Sequence, residues 1–259
     1  MLSAEARVRE TDIDAVALKP VECDVAVAHD LPFETIVVDY EGREHLPARD
    51  VLAELAAKQE LRLTVPVRAS GFDPLGDDSV AESLPEDAGR VFVAGNRAYL
   101  DEAEREKRVA PRLAAAVDGD PAAWVGTEGI ERVALATGAG QFELLSRSTE
   151  RDIRELRAAG FDGHVALYAP VVLADDEDAI LDAVGGYTAR RGPVQRALPE
   201  DAETDGSATG RAREVLSKAV RDFALVGDVE TVGERVASLR DAGVDTIVGY
   251  PARGPDEFR

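Results

Sequence analysis

Several short apolar runs in this chain end on residues that can move protons or bind charge. Residues 14–20 (DAVALKP) close on Lys19, residues 35–40 (TIVVDY) close on Asp39 and Tyr40 with Glu41 next, and residues 61–67 (LRLTVPV) lead to Arg68. Residues 90–94 (RVFVA) lead to Gly95 and Asn96, residues 122–126 (AAWVG) to Glu128 and Gly129, and residues 164–170 (HVALYAP) carry Tyr168 near their end. A lysine at such a point can bind a substrate anion, or form a Schiff base if burial lowers its pKa. The competing reading for Lys19 is a rim salt bridge. An aspartate beside a tyrosine offers general acid–base chemistry, although a phenol with an ordinary pKa of about 10 is poorly matched to neutral pH. Asp39, Glu41, Glu128 and Glu143 could surround Mg²⁺ if their strand ends converge. Glu143, however, lies in the middle of its run, QFELL, and in so acidic a chain such carboxylates recur by chance, so no metal site is assigned. His29, His45 and His164 lack metal-ligand spacing. Gly138-Ala139-Gly140 precedes an apolar run, whereas a dinucleotide fingerprint must follow one, and no nucleophile elbow or phosphate-cradling Walker loop is present.

The elements that must position these residues alternate. β-Branched apolar runs at 14–20, 35–40, 61–67, 90–94, 122–126, 141–145 and 164–170 read as strands buried in a parallel sheet. Between them, residues 47–59, 79–84, 130–137 and 148–160 show helical spacing of apolar positions. Residues 99–117 read as a charged helix that Pro111 must break or kink. Residues 175–191 open with Asp175, Asp176, Glu177 and Asp178, acids suited to a helix N-terminus. Residues 196–210 are polar and contain Pro199, Gly206 and Gly210, which reads as an exposed loop. A short helix at 211–220 follows.

The last stretch, 223–255 (FALVGDVETVGERVASLRDAGVDTIVGYPARGP), reads as a turn, a helix and an eighth strand. Asp228 suits an N-cap, Val232, Val236, Leu239 and Ala242 form one apolar face, and Gly243 follows as a stop. Strict alternation over eight strands in one domain predicts an α/β fold, a closed (β/α)8 TIM barrel across residues 1–259. In such a barrel, chemistry sits on the loops after the strands' C-terminal ends, where the residues above fall.

Composition narrows the partners. The chain has 259 residues, 51 acidic against 30 basic, for a net charge of -21. That excess argues against nucleic acid or an anionic membrane surface as partner. Dispersed acids, much alanine and only four lysines (Lys19, Lys58, Lys107 and Lys218) suggest a halophilic protein. Cys23 is the single cysteine, which excludes an intrachain disulfide and fits a reducing cytoplasm. The N-terminus has no apolar signal core, and no apolar run approaches membrane-spanning length.

The final segments carry a likeness to a known family. DVETVGERVASLRDAGVD followed by GYPARGP resembles the end of the luciferase-like flavin and deazaflavin oxidoreductases, with the closest likeness to methylenetetrahydromethanopterin reductase. VALYAPVVLADDEDAILDAV, AWVGTEGIERVALATG and IVVDYEGREHLPARDVLAELAAKQELRLTVPV resemble that family's strand seven, strand five and strands two to three. The chain is thus identified as similar to a divergent, shortened member of haloarchaeal type. The resemblance implies a luciferase-like barrel, coenzyme F420 or alternatively FMN as cofactor, and a small-molecule substrate. Members often dimerise, so it also allows a homodimer. In the family an Asp-His pair after strand two contacts the deazaflavin and assists proton transfer; Asp39 matches it, and Tyr40 replaces the histidine. The implied cofactor-binding residues are Asp39, Arg68, Gly95, Asn96, Glu128, Gly129 and Tyr168, whose ring stands where one can pack on an isoalloxazine-like ring. The implied catalytic residues are Asp39, Tyr40 and Lys19. Two alternatives stay open: a cofactor-free, non-catalytic barrel that acts as a binding partner, and a lyase-type barrel using Lys19 with carboxylates or Mg²⁺.

Overall fold

The computed structural model describes residues 4–259. Nine strands form one all-parallel sheet: β1 (Ala15–Leu18), β2 (Thr35–Val38), β3 (Glu60–Pro66), β4 (Gly89–Val93), β5 (Trp124–Gly126), β6 (Gly140–Leu144), β7 (Val165–Leu173), β8 (Leu225–Gly227) and β9 (Thr246–Pro251). Strands β1 to β7 pair in chain order, and β9 sits between β7 and β1, so eight strands close a barrel. This is the expected (β/α)8 architecture. The expected eighth strand is β9. The segment read as a turn near Leu225 is instead a ninth strand, β8, which lies outside the barrel. It pairs with Val171–Leu173, the end of β7 that projects beyond β6.

The helices lie between the strands, except the first, which precedes β1. They are α1 (Ala4–Arg9), α2 (Arg49–Lys58), α3 (Ser79–Ser83), α4 (Glu102–Glu106), α5 (Val109–Gly119), α6 (Glu131–Ala136), α7 (Thr149–Ala158), α8 (Glu177–Ala189), α9 (Gly192–Ala197), α10 (Gly210–Phe223) and α11 (Val229–Ala242). Helix α11 starts where expected: the Asp228 side chain accepts the Thr231 N–H at 2.8 Å. It stops at Gly243, whose φ of 113° is cheap only without a Cβ. The single helix expected over 99–117 is two. The break falls at Lys107 and Arg108, both extended, while Pro111 sits in the first turn of α5, where a missing N–H costs nothing. Residues 192–197 are helical, and 198–209 form an irregular connection in which Ala208 is buried and Gly206 N–H donates to Asp182 of α8 at 2.8 Å.

Strand alternation sorts the side chains into two cores. Val16, Leu18, Ile36, Val38, Leu61, Leu63 and Val65 point outward and pack with helix residues such as Leu52, Leu55 and Leu113. Ala15, Ala17, Val37, Val91, Trp124, Phe142, Ala166, Tyr168 and Val248 fill the interior, with alanines facing large rings. A third cluster joins Val172 and Val226 to α8, α9 and α10. This parity aims Lys19, Asp39, Thr64 and Tyr168 into the barrel and leaves Tyr40 in phase with the outward row. Among the described residues no helix is long and apolar enough to cross a membrane.

Candidate functional site

The C-terminal ends of the barrel strands open on a cavity of about 500 Å³. Each strand end contributes through the inward phase: Lys19 after β1, Asp39 and Glu41 after β2, Thr64 and Pro66 on β3, Val93 on β4, Gly126 and Glu128 on or after β5. Phe142 and Leu144 of β6 and Tyr168 of β7 complete the wall.

Asp39 is the group most altered by its setting. It is only partly exposed, toward the cavity, and its carboxyl is otherwise walled in by protein. Burial pushes its pKa up to about 7; the Lys19 charge opposes this, Glu41 and Glu22 add to it, and the hydrogen bond from Tyr168 opposes it. Tyr168 Oη donates to Asp39 Oδ2 at 3.3 Å. The Tyr168 ring is 6% exposed and lies nearly parallel to Tyr250, with centroids 6.2 Å apart and planes at 9°. Burial and the facing Asp39 raise the Tyr168 phenol well above its ordinary range, so it stays protonated and serves as a donor.

Lys19 is held from two sides. Its Nζ lies 4.0 Å from the Tyr250 ring centroid and 3.5 Å from Glu22 Oε1. Tyr250 Oη donates to Glu22 Oε2, and Glu41 accepts the Val21 N–H at 3.1 Å. Lys19, Glu22, Tyr250, Tyr168 and Asp39 thus form one connected set at the β1–β2 side of the mouth.

The site residues inferred from sequence divide into three groups. Lys19, Asp39, Gly95, Asn96, Glu128 and Tyr168 meet at the cavity. Tyr40 touches its edge, but its N–H is fixed by Thr64 Oγ1 at 2.6 Å and its ring packs edge-on against Phe72, centroids 5.1 Å apart. Its outward phase gives the phenol facing Asp39 to Tyr168. Arg68 and Gly129 do not line the cavity. Arg68 donates to the carbonyls of Ala94 (2.6 Å), Gly95 (3.1 Å) and Arg105 (3.0 Å), which ties the β4 loop to α4. Gly129 N–H donates to Glu131 Oε1 at 3.2 Å, so the turn after β5 spends a backbone donor on its own carboxylate.

Glu143 faces the opposite side from Phe142 and Leu144 and accepts from Thr127 Oγ1 at 2.6 Å. Burial pushes its carboxyl up. Among the described residues no group of three His, Cys, Asp or Glu is placed to hold a metal ion.

Sequence reasoning missed Thr64, Tyr99, Thr127, Tyr187, Arg190 and Arg191, all on the cavity. Thr64 could have been found by strand parity. Tyr187, Arg190 and Arg191 come from the end of α8, and no strand-end rule selects a helix C-terminus.

Residues 8–258 match a family described as a family of unknown function (DUF7388). The chain belongs to this family. No curated protein sequence matches it. An F420-dependent secondary alcohol dehydrogenase, solved with an F420-acetone adduct, is similar in structure. The TM-score is 0.64 at 12% identity over 93% of this chain and 93% of that one. The apo form of MsnO8 is similar with TM-score 0.57 at 16% identity, over 95% and 96% of the two chains. At these identities the likeness is one of fold. Within the DUF7388 chain, the cavity stands where such barrels place their chemistry.

Proposed function

We propose that this barrel is a luciferase-like oxidoreductase that holds coenzyme F420, or alternatively FMN, in its mouth and moves a hydride to or from a small-molecule substrate. One observation carries the reading: a half-buried carboxyl, its pKa pushed up to about 7, lies on the wall of a roomy, aromatic-lined cavity at the C-terminal end of the barrel. The sequence resemblance and the F420-dependent neighbour support the choice of cofactor.

The residues present fit such a group. Phe142, Tyr168, Tyr99 and Tyr187 offer ring surface, and Lys19, Arg190 and Arg191 offer positive charge for an anionic tail. A bound deazaflavin or flavin supplies the hydride chemistry, which no side chain here can perform. The protein's part is the proton. Reduction of a carbonyl needs an acid at oxygen, and oxidation of an alcohol needs a base there. Asp39, poised near neutrality, serves either direction. Tyr168 holds the carboxyl by its hydroxyl, and Lys19 favours the ionised form. The ammonium of Lys19, held between Glu22 and the Tyr250 ring, suits this electrostatic role better than Schiff-base chemistry.

The test is an absorbance and fluorescence titration with F420 and then FMN, at high salt and with folding monitored. The expected result is saturable binding of one or both, weakened by Asp39→Ala. A folded protein that binds neither would sink the reading.

A further inference from the structure

The cavity is polarised. Asp39 and Glu41 stand at its β2 end, while two arginines, Arg190 and Arg191, reach it from the end of α8. Arg191 is unusually prepared. Its side chain is 21% exposed, its Cζ lies 4.2 Å from the Tyr187 ring centroid and 5.9 Å from that of Phe223, and its Nη1 is 3.2 Å from Glu128 Oε1. Its Nε and the Tyr187 Oη are both buried, with no partner other than each other's side chain. Burial pushes the Tyr187 phenol up, the Arg191 charge and its hydrogen bond to the phenol oppose this, and Glu128 adds to it. A guanidinium has five donors in a planar fork matched to carboxylate or phosphate oxygens. Here the ring contacts and the Tyr187 hydroxyl fix the fork's plane, and one terminal nitrogen meets Glu128 at the cavity.

We infer that Arg191, with Tyr187 and Arg190, is a clamp for the phosphate or carboxylate of a bound small molecule, and that Glu128 holds its place until the ligand arrives. The Glu128 side chain is 66% exposed, and an ion pair in that setting is weak. Exchange of its carboxylate for a ligand anion therefore costs little. The ligand oxygens gain the terminal nitrogen that Glu128 gives up and the Arg190 charge, while Tyr187 holds the guanidinium from behind. This also gives a function to an arginine pair on a cavity in a chain of net charge -21. The clamp rests on the oxidoreductase reading only for one source of the anion, the phosphate-bearing tail of the cofactor; a substrate anion is the other.

The experiment uses inorganic phosphate as probe, by calorimetric titration at constant ionic strength. It compares the unmodified chain with Arg191→Gln, Glu128→Gln and, as a distant control, Arg211→Gln on α10, each checked for its melting temperature. Phosphate should bind saturably. Arg191→Gln should weaken it by roughly ten- to hundredfold, as loss of charged hydrogen bonds does. Glu128→Gln should tighten it by roughly two- to fivefold, the worth of an exposed ion pair, and Arg211→Gln should change nothing. Absence of binding in both the unmodified chain and Glu128→Gln, or binding indifferent to Arg191→Gln, would overturn the clamp. FMN against riboflavin, which has the same ring without phosphate, then separates the sources. If the cofactor tail is the ligand, Arg191→Gln lowers FMN affinity to that of riboflavin and leaves riboflavin unaffected. If phosphate binds through Arg191 while neither FMN nor F420 binds, the clamp stands, the anion is the substrate's and the cofactor reading fails.

Discussion

The two ends of the barrel interior are built from the same alternation of inward side chains and reach opposite results. At the N-terminal end, Trp124 closes the interior. Its ring stacks on His164 at 5.0 Å and Phe142 at 6.0 Å, and the Arg62 guanidinium covers it at 3.8 Å. The charged and imidazole groups beside it are partnered: Arg62 donates to Glu60 at 2.9 Å, and His164 Nε2 meets Thr246 Oγ1 at 3.1 Å. Gly140 makes room, because a Cβ there would come within 2.9 Å of Trp124. At the C-terminal end, by contrast, a carboxyl is left where burial opposes its charge, and Arg190 and Arg191 line an open cavity in place of packed rings. One end is closed by stacked rings; the other keeps a carboxyl at a cost in stability. That asymmetry is what a functional site leaves in an otherwise consistent fold.

Substitutions at the two ends should therefore move activity and stability in opposite senses. The largest effect expected is on turnover: Asp39→Asn should lower it by about 10²- to 10⁴-fold, the usual worth of a general acid–base, as read by the rate of F420H₂ or flavin oxidation with the turned-over substrate. Trp124→Ala should instead destabilise by about 3–5 kcal/mol, the cost of emptying an aromatic site in a packed core, measured by denaturant unfolding. If it folds, its cofactor affinity should be little changed.

Stability should sharpen the contrast. The folded carboxyl of Asp39 titrates at about 7 and the unfolded one near 4, so the native state holds the proton more tightly. Stability then falls as pH rises from about 4 to about 7, and the penalty is complete above that. Asp39→Asn removes it, and should raise stability at pH 8 by up to about 4 kcal/mol while changing little at pH 4. Unfolding curves at the two pH values check this; a destabilised variant at pH 8 would break the comparison. Smaller again is the effect of Lys19→Met. Losing the lysine's charge should shift the pH midpoint of activity upward and reduce turnover severalfold at neutral pH, without abolishing it.

Much of this arrangement was visible in the chain. The β-branched runs located all eight barrel strands, and the residue after each run located Lys19, Asp39, Asn96 and Glu128 at the mouth. What escaped did so for physical reasons. Strand β8 lies directly between the end of α10 at Phe223 and the Asp228 cap of α11, so its three residues read as a connection between two helices. Tyr40 was paired with Asp39 by sequence neighbourhood, yet strand alternation turns adjacent residues to opposite faces. Tyr168, more than a hundred positions away, supplies the phenol because β7 and β2 face each other across the closed barrel. Arg190 and Arg191 reach the cavity from a helix end, through a connection whose path only the packed fold determines.

The central claim is that the mouth keeps Asp39 poised near neutrality. It is tested most directly by carboxyl carbon NMR of the labelled protein through a pH titration, with the Asp39 resonance identified by its loss in Asp39→Asn. The account predicts a midpoint of about 7 that moves upward in Lys19→Met. A midpoint near 4, the ordinary aspartate value, would contradict it and leave the cavity without its acid–base group.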